Sequence, residues 1–211
     1  MSILSKLSFK DQAFQLRESA VLDATTRLLA SKGFDLMTMD DVANEVGISK
    51  PSLYKHFKSK EELVSEVMIR LLDATLDYLA AQPAELSPLD RLRDLLESAM
   101  RVRLAGGLPF LPSTSPQVRE MLTRNLRYVP RVLKLNKTLE MIVEEAKQAG
   151  ELRRDLPNDV ILFSYYARSC DPAVEYLRLY GKLDDDAIVA HMLSVCFDGL
   201  GGRAELARSQ P

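Results

Sequence analysis

The sequence predicts an all-α fold, a small N-terminal three-helix domain followed by a larger helical one, about nine helices in all. Three observations carry that reading. Apolar residues recur at helical spacing almost everywhere: Val21, Ala24, Leu28 and Leu29 form one stripe, and Val67, Leu71, Leu72, Leu76 and Leu79 form another. Helix start signals recur as well, with a hydroxyl three residues before a carboxylate at Thr38–Asp41, Ser59–Glu62 and Ser87–Asp90. No Asn-Gly or Asp-Gly pair joins alternating apolar segments, as a β-hairpin would require.

Taken in order, the first helix covers 12–32 and ends at Gly33. The second, 39–46, is capped by Thr38 and ends at Gly47; the third follows at 50–57, and the fourth, 60–82, is capped by Ser59. The fifth (88–105) and sixth (116–126) open on Pro88 and Pro116, each after a serine cap. Proline suits a first helical position because the N–H it lacks would be unpaired there. The seventh helix, 130–149, stops at Gly150, the eighth, 158–180, at Gly181, and the ninth covers 184–200. Glycine is the candidate stop at 33, 47, 150 and 181 because it tolerates the left-handed conformation that follows a last turn. The pair Asp171-Pro172 either kinks the eighth helix or starts a new one with Asp171 as its cap.

Composition removes several classes. With 46% apolar and 27% charged residues over 211 positions, the chain is neither collagen-like nor disordered. Its longest uncharged stretch, Leu104 to Val118, contains three prolines and two glycines. A membrane span needs about 20 apolar residues, so none is expected. The N-terminus lacks the apolar run of a signal peptide, and two cysteines, Cys170 and Cys196, cannot build a disulfide scaffold. The expectation is a soluble, cytoplasmic protein. No catalytic residue, metal site or cofactor is expected either. The two histidines are His56 and His191, and His191 stands about 140° round a helix from Cys196, so they share no face. Gly199-Leu200-Gly201-Gly202 follows a helix rather than a strand, unlike a dinucleotide loop.

The net charge of −2 hides a local pattern. Residues 1–63 carry nine basic and nine acidic side chains, yet Val46 to Lys60 holds Lys50, Lys55, Lys58 and Lys60 with no carboxylate. Because potentials are screened beyond roughly 8–10 Å, such a patch attracts phosphate whatever the overall balance. The patch falls on two short helices separated by a glycine turn, a helix-turn-helix whose second helix enters the DNA major groove. At about 100° per residue, Leu53 and Phe57 face inward, Pro51 and Lys55 outward, and Ser52 and Tyr54 lie on the flanks. Lys50 and Lys60 occupy first helical positions, where the macrodipole disfavours a cation unless an anion binds nearby.

Residues 15–75 resemble the DNA-binding domain of the tetracycline-repressor (TetR) family of bacterial regulators. The matching string is Gly33-Phe34, Thr38-Met39-Asp40-Asp41-Val42-Ala43, Gly47-Ile48-Ser49-Lys50, Leu53-Tyr54-Lys55-His56-Phe57 and Ser59-Lys60-Glu61-Glu62-Leu63. The resemblance implies a helix-turn-helix domain over 12–63, with the motif at 38–57, and an effector-binding and dimerisation domain over 64–205. It implies a homodimer whose recognition helices read successive major grooves of a palindromic operator in double-stranded DNA. By motif position, Thr38 caps the second helix and contacts phosphate. Lys50, Pro51, Ser52 and Lys55 approach bases or backbone, Tyr54 and His56 approach phosphates, and Lys60 reaches a phosphate from the fourth helix. Pro51 stands where the family commonly has glycine or alanine. It removes one possible N–H contact, so base readout there is apolar, as against a thymine methyl.

The remaining residues carry no comparable motif. Ala187 to Phe197 and Val160 to Ala167 read apolar nearly all round, and a helix apolar on every side must be buried on every side. The resemblance assigns the dimer interface to the last two helices, about 158–200. Met100, Arg103, Phe110, Tyr128, Phe163, Tyr166 and Cys170 are candidates for a ligand cavity, with Arg103, Arg127 and Arg168 able to hold an anionic group. The resemblance implies that an unidentified small-molecule effector bound there weakens DNA binding, most simply as release of a repressor. The competing reading is a protein-interaction module, which would lack salt-steep DNA binding. If Lys60 contacts a phosphate, Lys60→Ala weakens binding uniformly across DNA sequences and lowers the log–log salt slope by about one. Titrations at several salt concentrations measure it.

Overall fold

The computed structural model describes residues 9–109 and 115–200, with side chains from Asp11 onward. Among the described residues the secondary structure is ten α-helices and no strand: α1 (Phe9–Leu36), α2 (Met39–Val46), α3 (Lys50–His56), α4 (Lys60–Ala81), α5 (Pro88–Leu104), α6 (Pro116–Thr123), α7 (Val129–Gln148), α8 (Asn158–Ser169), α9 (Ala173–Tyr180) and α10 (Asp185–Asp198). Phe110, and residues 201–205 of the expected effector domain, lie outside the described residues. No helix among the described residues is long and apolar enough to cross a membrane.

The helices begin where side chains can satisfy the first unpaired N–H groups. Ser87 Oγ accepts from the Asp90 N–H at 3.2 Å, Ser115 Oγ from Val118 at 3.4 Å, and Asp184 Oδ1 from Ala187 at 2.8 Å. Each such cap stabilises its helix by about 1 kcal/mol. Pro88 and Pro116 occupy the first helical positions.

The helix beyond the expected count is α9, which arises at Asp171-Pro172, where the chain breaks the expected 158–180 helix. Of the two alternatives a new helix forms, and Asp171 Oδ1 accepts from the Ala173 N–H at 2.9 Å. The missing proline N–H and the ring's clash with the preceding turn exclude a continuous helix. Two glycine stops behave differently from each other. Gly33 has φ 73° and ψ 173°, which ends the regular part of α1 before a short helical extension to Leu36. Gly181 is a correction: its φ of −81° is extended, not left-handed. Glycine is needed there for space, since a Cβ would lie 2.3 Å from the Leu177 carbonyl oxygen that its own N–H bonds at 2.8 Å.

The chain divides into two compact units. The first comprises the described residues up to Ala81 with Gly106–Thr138, the second Gln82–Ala105 with the described residues from Leu139 onward. In the first unit, Val21 and Leu28 of α1, Val42 of α2, Leu53 of α3, Leu63 and Val67 of α4 and Leu122 of α6 share one buried cluster. In the second, Leu92, Leu96 and Met100 of α5 are buried, as are Ile142 of α7, Leu162 of α8 and Ile188 of α10.

The apolar segments expected to be buried all round are buried on one side only. In α10, Ile188, Val189 and Met192 are buried while Ala190, His191 and Ser194 are exposed. In α8, Leu162 and Tyr165 are buried, but Val160 is 50% and Phe163 70% exposed. As a check on the chain reversal, Gly181→Ala pushes the Leu177 carbonyl out of the last turn of α9. It should destabilise the protein by about 1–3 kcal/mol, the usual cost of overpacking, read as a lower urea midpoint with unchanged slope.

Candidate nucleic-acid interface

The interface is built from a turn that only certain residues can make. Thr38, extended at φ −118° and ψ 160°, starts α2 with a reciprocal cap: its Oγ1 accepts from the Asp41 N–H at 3.1 Å, and Asp41 Oδ2 accepts from the Thr38 N–H at 2.9 Å. Asp41 Oδ2 also accepts from the Thr38 hydroxyl at 2.8 Å. Nine residues after Thr38, Gly47 takes the left-handed conformation (φ 73°, ψ 32°), and the Ile48 N–H reaches back to the Ala43 carbonyl at 3.0 Å. Any other residue would strain this turn. Ser49 then caps α3, its Oγ accepting from the Ser52 N–H at 3.3 Å, with Pro51 in the first turn.

Two side chains set the orientation of α3. Leu53 is 0% and Phe57 2% exposed, both inside the cluster with Val42, Ala43, Leu63 and Val64. Pro51, Tyr54 and Lys55 are therefore on the outside, and Ser52 is half-buried beside them. The result is a short convex face with an apolar ring, a phenol and an ammonium group. Among the described residues, Lys55 makes no hydrogen bond or ion pair.

The other predicted contacts already have protein partners. Lys50 Nζ pairs with Asp40 Oδ2 of α2 at 2.9 Å, and that hydrogen bond raises the Lys50 pKa above its ordinary value. Lys60 Nζ donates to the Met37 carbonyl at 2.9 Å and lies 4.2 Å from the centre of the Phe34 ring. It thus ties the start of α4 to the loop before α2, so removing it costs packing as well as charge. The His56 ring stacks on Phe14 of α1 at 4.1 Å, and its buried Nδ1 has no hydrogen-bond partner. Sequence reasoning found none of Asp40, Phe34 or Phe14 as partners, because nothing in local spacing links them to the residues they touch.

The expected ligand set does not converge on one point. Met100 is buried in α5. Arg103 pairs with Glu175 at 2.6 Å and donates to the Cys170 carbonyl at 2.9 Å, which brings those two candidates together. Phe163 and Tyr166 meet edge to face at 6.1 Å; burial, then Glu140, pushes the Tyr166 hydroxyl up to about 12. Tyr128 belongs to the other unit, half-buried against that unit's hydrophobic cluster. Arg127 pairs with Glu66, and Arg168 with Asp171 at 2.7 Å. Among the described residues no group of three or more His, Cys, Asp or Glu is placed to hold a metal.

A left-handed glycine turn between two short helices, with the second anchored by Leu53 and Phe57 and presenting Pro51, Tyr54 and Lys55, defines a helix-turn-helix DNA-binding regulator. Residues 21–67 match the family described as bacterial regulatory proteins, tetR family. It is 26% identical to the HTH-type transcriptional repressor KstR2 of Mycolicibacterium smegmatis over 193 residues, 87% of this chain and 90% of that one. Its fold is similar to that of the transcriptional regulator FadR from Bacillus subtilis in complex with stearoyl-CoA (TM-score 0.62, 15% identity, covering 87% of this chain and 99% of that one). It is also similar to AibR in complex with isovaleryl coenzyme A and operator DNA (TM-score 0.59, 20% identity, 86% and 98%).

The cap of α2 carries a pH signature. Hydrogen bonds from Lys32 and then Thr38 hold the Asp41 carboxyl at about 2, below its ordinary 3.8. A depressed carboxyl stabilises the fold above its unfolded pKa and loses that contribution as pH falls through the folded one. Wild-type stability should therefore drop between about pH 4 and pH 2 more steeply than that of Asp41→Asn. Denaturant titrations of both proteins across that range decide it.

Proposed function

We propose that the protein is a homodimeric repressor: two copies of α3 enter successive major grooves of a palindromic operator, and a small-molecule effector releases them. The observation that carries this reading is the outward face of α3, held rigid by Leu53 and Phe57 and free of carboxylates. On it, Lys55 reaches a base edge or phosphate, Pro51 offers apolar contact to a thymine methyl, and Tyr54, 42% exposed, donates its hydroxyl to phosphate. Ser52 sits beside them. Lys50 exchanges Asp40 for a phosphate, a change that costs little because exposed ion pairs are worth only about 0.2–1 kcal/mol. Thr38, His56 and Lys60 border this face and contact backbone phosphates. We assign DNA binding to 12–63 and effector binding with dimerisation to 64–205.

Dimerisation through residues 158–200 is supported by the apolar surface of α8 and α9. Val160, Phe163, Tyr176, Leu179 and Tyr180 are all at least half exposed, more than an isolated soluble unit usually leaves in one stretch. The effector belongs to the helical second unit, and Met100, Arg103, Tyr166 and Cys170 remain candidates for contacting it. The coenzyme A thioesters named for two proteins of similar fold support that ligand class here.

Selection of bound sequences from a random DNA pool at two salt concentrations tests the reading. Recovery of a palindrome, with affinity falling steeply as salt rises, supports it; a protein-interaction module would recover none. With the operator in hand, Lys55→Ala should cost about 1–3 kcal/mol and relax preference at one position if Lys55 reads a base. If it holds a phosphate, the loss is uniform and the salt slope falls by about one.

A further inference from the structure

The reading face of α3 has an acidic neighbour on α2. Asp40 stands in the first turn of α2, and its Oδ2 accepts from Lys50 Nζ at 2.9 Å. Lys50 is the first residue of α3, so the carboxylate lies within one lysine side chain's reach of the start of the reading helix. In a helix-turn-helix the start of the second helix is the part that meets base edges. No carboxylate occurs between Val46 and Lys60, which leaves Asp40 as an anion at the rim of a basic segment.

The two aspartates of α2 differ in what occupies them. The Asp41 carboxylate accepts from the Thr38 N–H at 2.9 Å, the Thr38 hydroxyl at 2.8 Å and Lys32 Nζ at 2.9 Å. Asp40 takes no part in that cap. Among the described residues Lys50 is its one hydrogen-bond partner, and its side chain is 61% exposed against 29% for Asp41. A carboxylate facing DNA is unfavourable unless it is bonded, because it repels the phosphates and has no proton to donate to them.

The exchange at Lys50 sets what Asp40 can do. Once a phosphate takes Lys50, Asp40 loses its partner and keeps its charge. Carboxylate oxygens only accept, and the donors in the major groove are the amino groups of cytosine and adenine. Adenine places its N7 acceptor beside the amino group, where it opposes the second carboxylate oxygen; cytosine carries no acceptor in that groove. We infer that Asp40 is a base-reading residue that accepts from the N4 amino group of one cytosine in each half-site, so that α2 adds sequence specificity to that of α3. The inference rests on the reading that α3 enters the major groove, and it names the residue that selects one base pair there. Any other pair at that position leaves the freed carboxylate unpaired among phosphates.

Asparagine has the shape of aspartate but offers both a donor and an acceptor, the pattern that suits adenine. The test is therefore a change of preference as well as its loss. Full-length wild type, Asp40→Asn, Asp40→Ala and Lys50→Ala each go through selection of bound sequences from a random DNA pool. Affinities for the recovered operator and its single-position variants are then measured at several salt concentrations. Wild type should select cytosine at one position of each half-site and lose about 5- to 150-fold in affinity when it is replaced. Asp40→Asn should move that preference to adenine, and Asp40→Ala should shrink it to within about twofold, other positions being unchanged. Lys50→Ala should keep the cytosine, weaken all sequences alike and lower the salt slope by about one. Because Asp40 is exposed and caps nothing, its variants should keep the wild-type unfolding midpoint.

Three results overturn the inference. Preferences unchanged at every position in both Asp40 variants would do so, as would an affinity change shared by all sequences, which would make Asp40 only a counterion for Lys50. Loss of the cytosine preference in Lys50→Ala is the third, since Lys50 would then be the reader. If wild type itself recovers no operator, the reading of α3 fails and the inference falls with it. An operator recovered with Asp40 silent removes the inference alone.

Discussion

A seven-residue helix does not hold its shape in water, where isolated helices shorter than about 12–15 residues are marginal. α3 exists as a rigid element because Leu53 and Phe57 are buried against α2 and α4. Those two side chains fix its rotation about its own axis, and so decide that Pro51 and Lys55 face outward. Truncating either would cost about 3–5 kcal/mol and loosen the reading face at the same time. The stability of the unit and the orientation of the α3 face thus share the same two residues.

The electrostatics of the face follow from the same economy of space. Three lysines around it are held by neighbours, Lys32 by Asp41, Lys50 by Asp40 and Lys60 by the Met37 carbonyl, whereas Lys55 is not. The aspartates serve the fold, Asp41 as the cap of α2, and they keep the domain close to neutral. A phosphate that displaces Asp40 from Lys50 replaces one exposed pair with another, a change of small free energy in either direction. A protein with a net charge of −2 can therefore carry a DNA-binding face, since the field that matters is local.

The second unit obeys a different constraint. Its helices carry more apolar surface than its own core consumes, and the surplus lies on α8 and α9. The two arginines of this unit singled out as anion holders, Arg103 and Arg168, are paired with Glu175 and Asp171. Charge is neutralised internally, and shape with apolar area is what this unit offers to a partner.

Much of this was legible in the sequence because it is governed by local physics. Caps reach three residues, a helical face repeats at about 3.6 residues, and a left-handed turn asks for glycine. Hence the cap at Thr38, the turn at Gly47 and the inward pair Leu53 and Phe57 could all be read from spacing. The break at Asp171-Pro172 left two outcomes open; a new helix forms, with Pro172 at its N-cap and the Asp171 carboxylate accepting from the Ala173 N–H. The stop at Gly181 was legible, but its reason, the approach of the Leu177 carbonyl, was not. Only the tertiary structure decided which groups meet: His56 with Phe14, Lys60 with Met37 and Phe34, and Arg103 with Glu175. Those partners come from segments far apart in the chain, and no periodicity within a helix encodes which distant side chain will lie across from it.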